Sequence, residues 1–296
     1  MLISFKYSMK KPFFSNLFSK FPTTYKKHRF IVPMLGVALI SGCEGMFEPS
    51  IAEICRQDSG FCDDLNPDGW CRAEKAEIIR HRYRHREDET EFDKYQLLMI
   101  FEDYKVCIGK AAQIQHIKYR EKETGRMKGL LTAQREIKRL SRETRHSQEP
   151  HLVYYQWSRY GHEDALKLFL DYAEKDQLTT PDLQIALASI QVKTDLDKTK
   201  GSLYRALSLY SDDQVIDDEI FDTLVTIALD QERYHMAYVW SRVASHFSKR
   251  VNDEQLAMLA NKHQLSADSL DDVADEITNA IEGRDFDAHQ LGLDRL

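Results

Sequence analysis

At 296 residues, with 41 Lys+Arg against 48 Asp+Glu and a formal net charge of −7, the chain is long enough for one large domain or two small ones, each with a core. An acidic balance, which deepens to −14 without the first 42 residues, argues against a free nucleic-acid binder. Only 12 Gly and 7 Pro, beside many Leu, Ala, Gln, Glu, Lys and Arg, favour helices over sheets.

The first 29 residues carry Lys6, Lys10, Lys11, Lys20, Lys26, Lys27 and Arg29 with no Asp or Glu, and residues 30–40 are an apolar run. This is the layout of an export signal, with Met9 as an alternative start. Eleven residues rise about 16 Å as a helix, roughly half the hydrocarbon thickness, so the run is too short to span a bilayer. Ile40-Ser41-Gly42-Cys43 closes it and resembles the lipobox of bacterial lipoproteins. The resemblance implies that residues 1–42 are a signal peptide and that Cys43 receives the lipid and becomes the first mature residue. Two or more acyl chains hold a protein to a bilayer durably where one does not. Glu44 follows, where such lipoproteins carry Asp for inner-membrane retention, so the expected address is the outer membrane facing the periplasm.

The mature chain would hold 34 Lys+Arg against 48 Asp+Glu, a net charge of −14, unevenly spread: −6 over residues 43–71, +6 over 72–147 and −14 over 148–296. That asymmetry predicts separate structural units. With Cys43 assigned to lipid, Cys55, Cys62, Cys71 and Cys107 remain, an even number for a disulfide-permissive compartment. Three pairings are possible. Helices over residues 73–86 and 90–115, turning near 87–90, place Cys71 and Cys107 equally far from the turn, which favours Cys71–Cys107 and Cys55–Cys62. The spacings miss the close pairs of thiolate zinc sites.

Residues 43–72 are poor in apolar periodicity and rich in turn formers, so they are expected to form an irregular linker. Within them Asp64-Leu65-Asn66-Pro67-Asp68-Gly69 matches the first half of a calcium loop, but position twelve is Lys75 instead of a bidentate carboxylate, which favours an ordinary turn. Residues 73–147 are expected to form a helical hairpin and a basic helix. His81 and His85 share a helix face at metal-ligand spacing, yet they sit among Arg80, Arg82, Arg84 and Arg86, whose charge repels a cation. Those arginines are candidate partner-binding residues instead, toward acidic partners, anionic lipid head groups or the chain's own acidic C-terminal half. Residues 127–145 have apolar Leu130, Leu131, Ala133, Ile137 and Leu140 opposite Arg135, Lys138, Arg139 and Arg142, which is amphipathic helical spacing.

Helices are then expected over residues 152–160, 162–175, 181–193, 196–210, 219–230, 234–247, 253–262 and 268–281. Thr180, Asp217 and Ser266 stand where N-caps belong. Ala165, Gly201 and Ala237 recur every 36 residues, with Leu168, Tyr204 and Trp240 one turn later. Small residues at such points permit close helix approach. The period resembles tetratricopeptide and Sel1-like repeats, although the Trp-Leu-Gly-Tyr pattern of their first helices is missing. The expected architecture is all-α: a disulfide-stapled N-terminal helical hairpin, then an α-solenoid or helical bundle over residues 148–285, closed by a capping pair of helices, with residues 286–296 a loosely held tail. Tyr154, Trp157, Tyr204 and Trp240 are the aromatic candidates for a peptide groove.

Cys55, Cys62, Asp68-Gly69-Trp70-Cys71-Arg72, Cys107, Tyr154-Tyr155-Gln156-Trp157-Ser158 and Gln184-Ile185-Ala186-Leu187-Ala188 are, with the lipobox, similar to a family of gammaproteobacterial lipoproteins of unknown function. The resemblance implies location and fold and brings no catalytic residues. Gly-X-Ser-X-Gly, Gly-rich phosphate loops and His-Glu-X-X-His are all missing from the sequence, so no enzyme, cofactor or metal is expected. The expected role is a lipid-anchored scaffold that binds an envelope protein or peptide. An accessory factor or enzyme of cell-wall metabolism and a purely structural envelope component are the alternatives.

Overall fold

The computed structural model describes residues 48–115, 119–248 and 253–293. The leader and Cys43 lie outside the described residues. The described helices are α1 (Ile51–Gln57), α2 (Arg72–Arg84), α3 (Glu91–Ala112), α4 (Arg120–Glu143), α5 (Pro150–Tyr160), α6 (Glu163–Glu174), α7 (Pro181–Gln191), α8 (Leu196–Leu209), α9 (Glu219–Asp230), α10 (Tyr234–Phe247), α11 (Asp253–His263) and α12 (Ala267–Glu282). There is no strand among the described residues, so the all-α class holds. Two compact units divide at residues 152 and 153.

In the first unit, capping boxes start α1 and α3. Ser50 accepts from the Glu53 N–H while the Glu53 carboxylate accepts from the Ser50 N–H, and Thr90 and Asp93 do the same. Each pair satisfies two helix donors that have no partner inside the helix. The segment expected to be an irregular linker therefore holds a helix, and Ile54 on it is fully buried. A short 3₁₀ turn, Ser59–Phe61, follows. α2 packs on α1 and α3, and α3 on α4, around Ile54, Ile78, Leu98, Phe101, Tyr104 and Ile108, all fully buried. Cys55–Cys62 staples the α1 turn, and Cys71–Cys107 joins the start of α2 to α3 with a Cα–Cα distance of 5.8 Å. The pairing favoured by the hairpin spacing is the one found.

α4 starts seven residues earlier than its apolar pattern predicts, and its first half carries Gly125 and Gly129. Both are buried, and both allow the 64–70 loop to lie against the helix. A Cβ on Gly125 would stand 2.7 Å from Pro67 Cδ, and one on Gly129 would stand 2.4 Å from the Tyr104 hydroxyl and 3.1 Å from the Asn66 backbone nitrogen. Contacts that short cannot be absorbed in a packed interior without moving backbone.

In the second unit α7 packs on α8, α8 on α9, α9 on α10, and α10 on both α11 and α12. Phe169, Leu178, Leu183 and Ala186 form one core, with Tyr154 and Leu168 at its edge. Leu207, Phe221, Leu224, Trp240, Val243 and Ile277 belong to a larger one. α6, α9, α11 and α12 each end through a non-glycine residue in the left-handed region, Asp176, Glu232, Gln264 and Arg284. The next N–H returns to the last turn in each case, as from Gln177 to the Tyr172 carbonyl at 2.9 Å and Arg233 to Ala228 at 2.8 Å. That is the Schellman arrangement usually built on glycine.

Two expectations are overturned here. Residues 286–293 are not loosely held, because Phe286 and Leu293 are buried in the larger core. The Phe286 ring lies 6.0 Å from that of Tyr204, and Arg284 donates to the Gln214 carbonyl at 2.7 Å. Ala288 and Leu291 of the tail pack against the same core. Gly201 is also not a close-approach residue: it is exposed on α8, with nothing within 4 Å of a Cβ built on it, whereas Ala237 is fully buried. Removing backbone freedom from the unfolded chain without a clash makes Gly201→Ala stabilising by about 0.5–1 kcal/mol. Thermal unfolding checks this, and a lower midpoint in the variant would contradict it.

Candidate functional site

A dense polar constellation forms around the loop from Asp64 to Trp70, which bonds to residues of α2, α3 and α4 in the first unit. Asn66 is 1% exposed and fully engaged. Its backbone N–H donates to the Tyr104 hydroxyl at 3.1 Å, that hydroxyl donates to Asn66 Oδ1 at 2.8 Å, and Asn66 Nδ2 donates to Asp68 Oδ1 at 2.8 Å and the Trp70 carbonyl at 3.1 Å. Asp68 Oδ1 also accepts the Trp70 N–H, and Asp68 Oδ2 accepts Arg126 Nε at 2.7 Å. Asp64 is taken by a forked pair of bonds from Arg82 at 2.8 and 2.9 Å, and its carbonyl accepts from Thr132. A satisfied buried network of this kind fixes one geometry.

Lys75 occupies the place of a calcium ion's last ligand and itself supplies the positive charge. Its ammonium donates to the Asn66 carbonyl at 2.9 Å and the Asp68 carbonyl at 3.0 Å. The side-chain oxygens of Asp64 and Asn66 are taken by Arg82 and Tyr104, and those of Asp68 by Arg126, Asn66 and the Trp70 N–H. Burial pushes the Lys75 ammonium down and the Asp68 charge opposes it. Burial pushes the Asp68 carboxyl up, but Arg126, the Trp70 N–H and Asn66 outweigh it and hold it below the usual carboxylate value. The Tyr104 phenol, chiefly through burial, is pushed up to about 12. Above this network the Trp70 ring, 47% exposed, lies 5.5 Å from the Arg126 guanidinium.

The four candidate arginines, three on α2 and Arg86 just past its end, do not form one open basic face. Arg84 holds Glu48 through bonds of 2.7 and 2.8 Å, Arg80 stands 3.7 Å from the same carboxylate, and Arg82 is committed to Asp64. Arg86 donates to the Tyr83 carbonyl and lies over the Tyr83 ring. They fasten the N-terminal part of the chain to itself, through Glu48, Asp64 and Tyr83 and not through the acidic C-terminal half expected as their internal partner.

His81 is buried, with its ring 4.4 Å from that of His85, which in turn meets the Asp93 carboxylate at 3.1 Å. Nε2 of His81 has no hydrogen-bond partner among the described residues. Burial first, then His85 and Arg84, lower the His81 pKa from 6.5 to about 4 against the opposing pull of Asp93. Because the unfolded chain takes up this proton first, the contribution to stability is complete above pH 6.5 and is lost as pH falls toward 4. The loss is roughly 3 kcal/mol at 1.36 kcal/mol per pH unit. Denaturant unfolding between pH 7 and 4 checks it, the expected result being a shallower slope in His81→Leu; equal slopes would refute the assignment.

Cys71, Glu74 and Cys107 place their ligand atoms within 4.8 Å of one another. The two sulfurs are bonded to each other, so neither is a thiolate able to bind a metal.

In the second unit Tyr204 is 7% exposed and Trp240 is 1% exposed, their rings 5.7 Å apart. As groove residues they are corrected: both are core, because the tail and α9 close over them. The recess they floor, rimmed by Lys200, Gln231, Arg233 and Met236, has room for about one water molecule. Tyr154 is half-buried and bonded to Ser189 at 2.9 Å. Trp157 is half-buried with its ring 5.7 Å from that of Tyr154, and Tyr160 is 49% exposed at the end of the same helix. The accessible aromatic edge of this unit is therefore Trp157 and Tyr160 on α5.

A family model described as "Protein of unknown function (DUF2989)" matches residues 40–242, more than half of the chain. The chain belongs to this family. The DUF2989 match takes in the whole described first unit and the second unit as far as α10, so the loop network and the aromatic edge both lie within it. No curated protein and no solved structure matches the chain.

Proposed function

We propose that this DUF2989 member is a lipid-anchored periplasmic lipoprotein, held at the outer membrane through Cys43, whose second unit is a repeat-like helical scaffold for an envelope protein or peptide. The observation that carries the anchor is the use of the five cysteines. Four are joined as Cys55–Cys62 and Cys71–Cys107, which suits an oxidising compartment, and the one left over is the cysteine that ends the lipobox-like run. Among the described residues no helix is long and apolar enough to cross a membrane, so attachment through Cys43 is the form of membrane association that the sequence supports.

The scaffold part is supported by the serial packing of α7 on α8, α8 on α9 and α9 on α10 and by the half-open aromatic edge of Trp157 and Tyr160, since such rings anchor protein interfaces when partly exposed. It is tested by crosslinking in intact cells followed by co-purification. Recovery of one defined envelope protein, lost on Trp157→Ala with Tyr160→Ala, is the expected result. Mass spectrometry of the N-terminal peptide tests the anchor, with a diacylglyceryl-modified Cys43 expected. An unmodified chain retaining residues 1–42 would overturn the anchor, and equal recovery of the partner by the variant would overturn the aromatic edge.

A further inference from the structure

α4 packs one side onto α3 and the 64–70 loop and leaves the other to solvent. On that outer side every exposed charged residue between positions 124 and 142 is basic: Lys128, Arg135, Lys138 and Arg142. Between them lie two large apolar side chains, Met127 at 45% and Leu131 at 55% exposure. Leu131 was expected on the buried side; Gly125, Gly129, Thr132 and Ala133 take that side. At about 100° per residue these six positions fall within an arc of about 100°, and they extend roughly 22 Å along the helix. Arg135 is partly occupied by Asp64, Glu136 and Thr132, and Arg142 donates to the Lys138 carbonyl. Lys128 and Lys138 make no ion pair among the described residues.

We infer that this arc of α4 lies on an anionic phospholipid surface, with Met127 and Leu131 entering the headgroup boundary and Lys128, Lys138 and Arg142 meeting lipid phosphates. Two features favour lipid over an acidic protein. Two apolar side chains one turn apart, ringed by cations with long flexible stems, form the interfacial pattern in which the stems reach up to phosphate while the apolar groups enter the boundary. The chain's path also matters. Glu48, fastened to Arg84, is five residues from Cys43, a reach of at most about 18 Å, so an acylated Cys43 keeps the first unit beside the bilayer. The inference rests on the anchored reading for this proximity.

The test uses the chain from Glu44 to Leu296, which keeps every described residue and carries no acyl group, so that only the arc is measured. It is sedimented with vesicles of phosphatidylcholine alone or with one third phosphatidylglycerol. Binding to the anionic vesicles alone, weakened by salt, is expected. With about fivefold in affinity per basic residue at such a surface, Lys128→Gln, Lys138→Gln and Arg142→Gln together should weaken it roughly 100-fold, with circular dichroism unchanged. Leu131→Ser should lower the binding left at high salt by about tenfold. Equal association with both vesicle types, or unchanged binding by the triple variant, would overturn the inference, as would capture of an acidic polypeptide without any vesicle binding. Failure here leaves the anchor reading intact, because that is decided separately by the mass of the Cys43 peptide.

Discussion

Arg126→Met is expected to destabilise the first unit by about 4 kcal/mol, the range for breaking a buried ion pair by removing one partner. The Arg126 side chain is 3% exposed and that of Asp68 15%, so solvent replaces little of what is lost. The guanidinium gives one bond to Asp68 and another to the Ala111 carbonyl at 3.2 Å, which ties the loop, the end of α3 and the start of α4 together. With the arginine gone, Asp68 keeps the Trp70 N–H and Asn66 bonds but loses its paired cation, and the remaining positive charge, Lys75, is bonded to backbone carbonyls and not to the carboxylate. Arg126→Met with Asp68→Leu should recover part of the loss, since the desolvated charge goes with its partner. Amide hydrogen exchange of peptides from residues 64–70 and 104–130 reads this unit separately from the other. A loss under 1 kcal/mol would show that the pair is not what holds the loop.

Cys71→Ser with Cys107→Ser is expected to cost about 4 kcal/mol, from the chain entropy released when a loop of this length opens. The bridge spans 36 residues, whereas Cys55–Cys62 spans 7, for which the same relation gives about 2.4 kcal/mol. A thiol reductant should therefore loosen the first unit mainly through the longer bridge, and the double Ser variant should lose most of its remaining sensitivity to reductant. Reductant-dependent unfolding of the intact chain, the two single-bridge forms and the bridgeless form checks the order. A larger loss from the shorter bridge would contradict it.

The sequence makes the helices legible because apolar spacing reports which residues can share a buried side. It gives α9 and α10 their observed bounds, and others to within a few residues. α1 was missed although Ser50 and Glu53 stand at capping-box spacing, because the segment has too few apolar residues for a period to emerge. The loop network was not legible for a different reason: Asn66 meets Tyr104 across 38 residues and Asp68 meets Arg126 across 58, and nothing local marks such partners. Gly125 and Gly129, four apart in a helix, were the available hint of a close contact. Tyr204 and Trp240 were assigned to a groove because helical spacing places a residue on a side without saying what covers that side. Here a segment some 80 residues beyond Tyr204 in sequence supplies Phe286.

The Lys75 ammonium has a consequence for where this protein can work. A loop organised by a dissolved ion is only as ordered as the surrounding ion concentration allows, and it empties under chelation or dilution. Here the cation is part of the polypeptide, at an effective concentration that no change outside the molecule alters, so the 64–70 loop should assemble with the chain and remain closed when divalent ions are stripped from its surroundings.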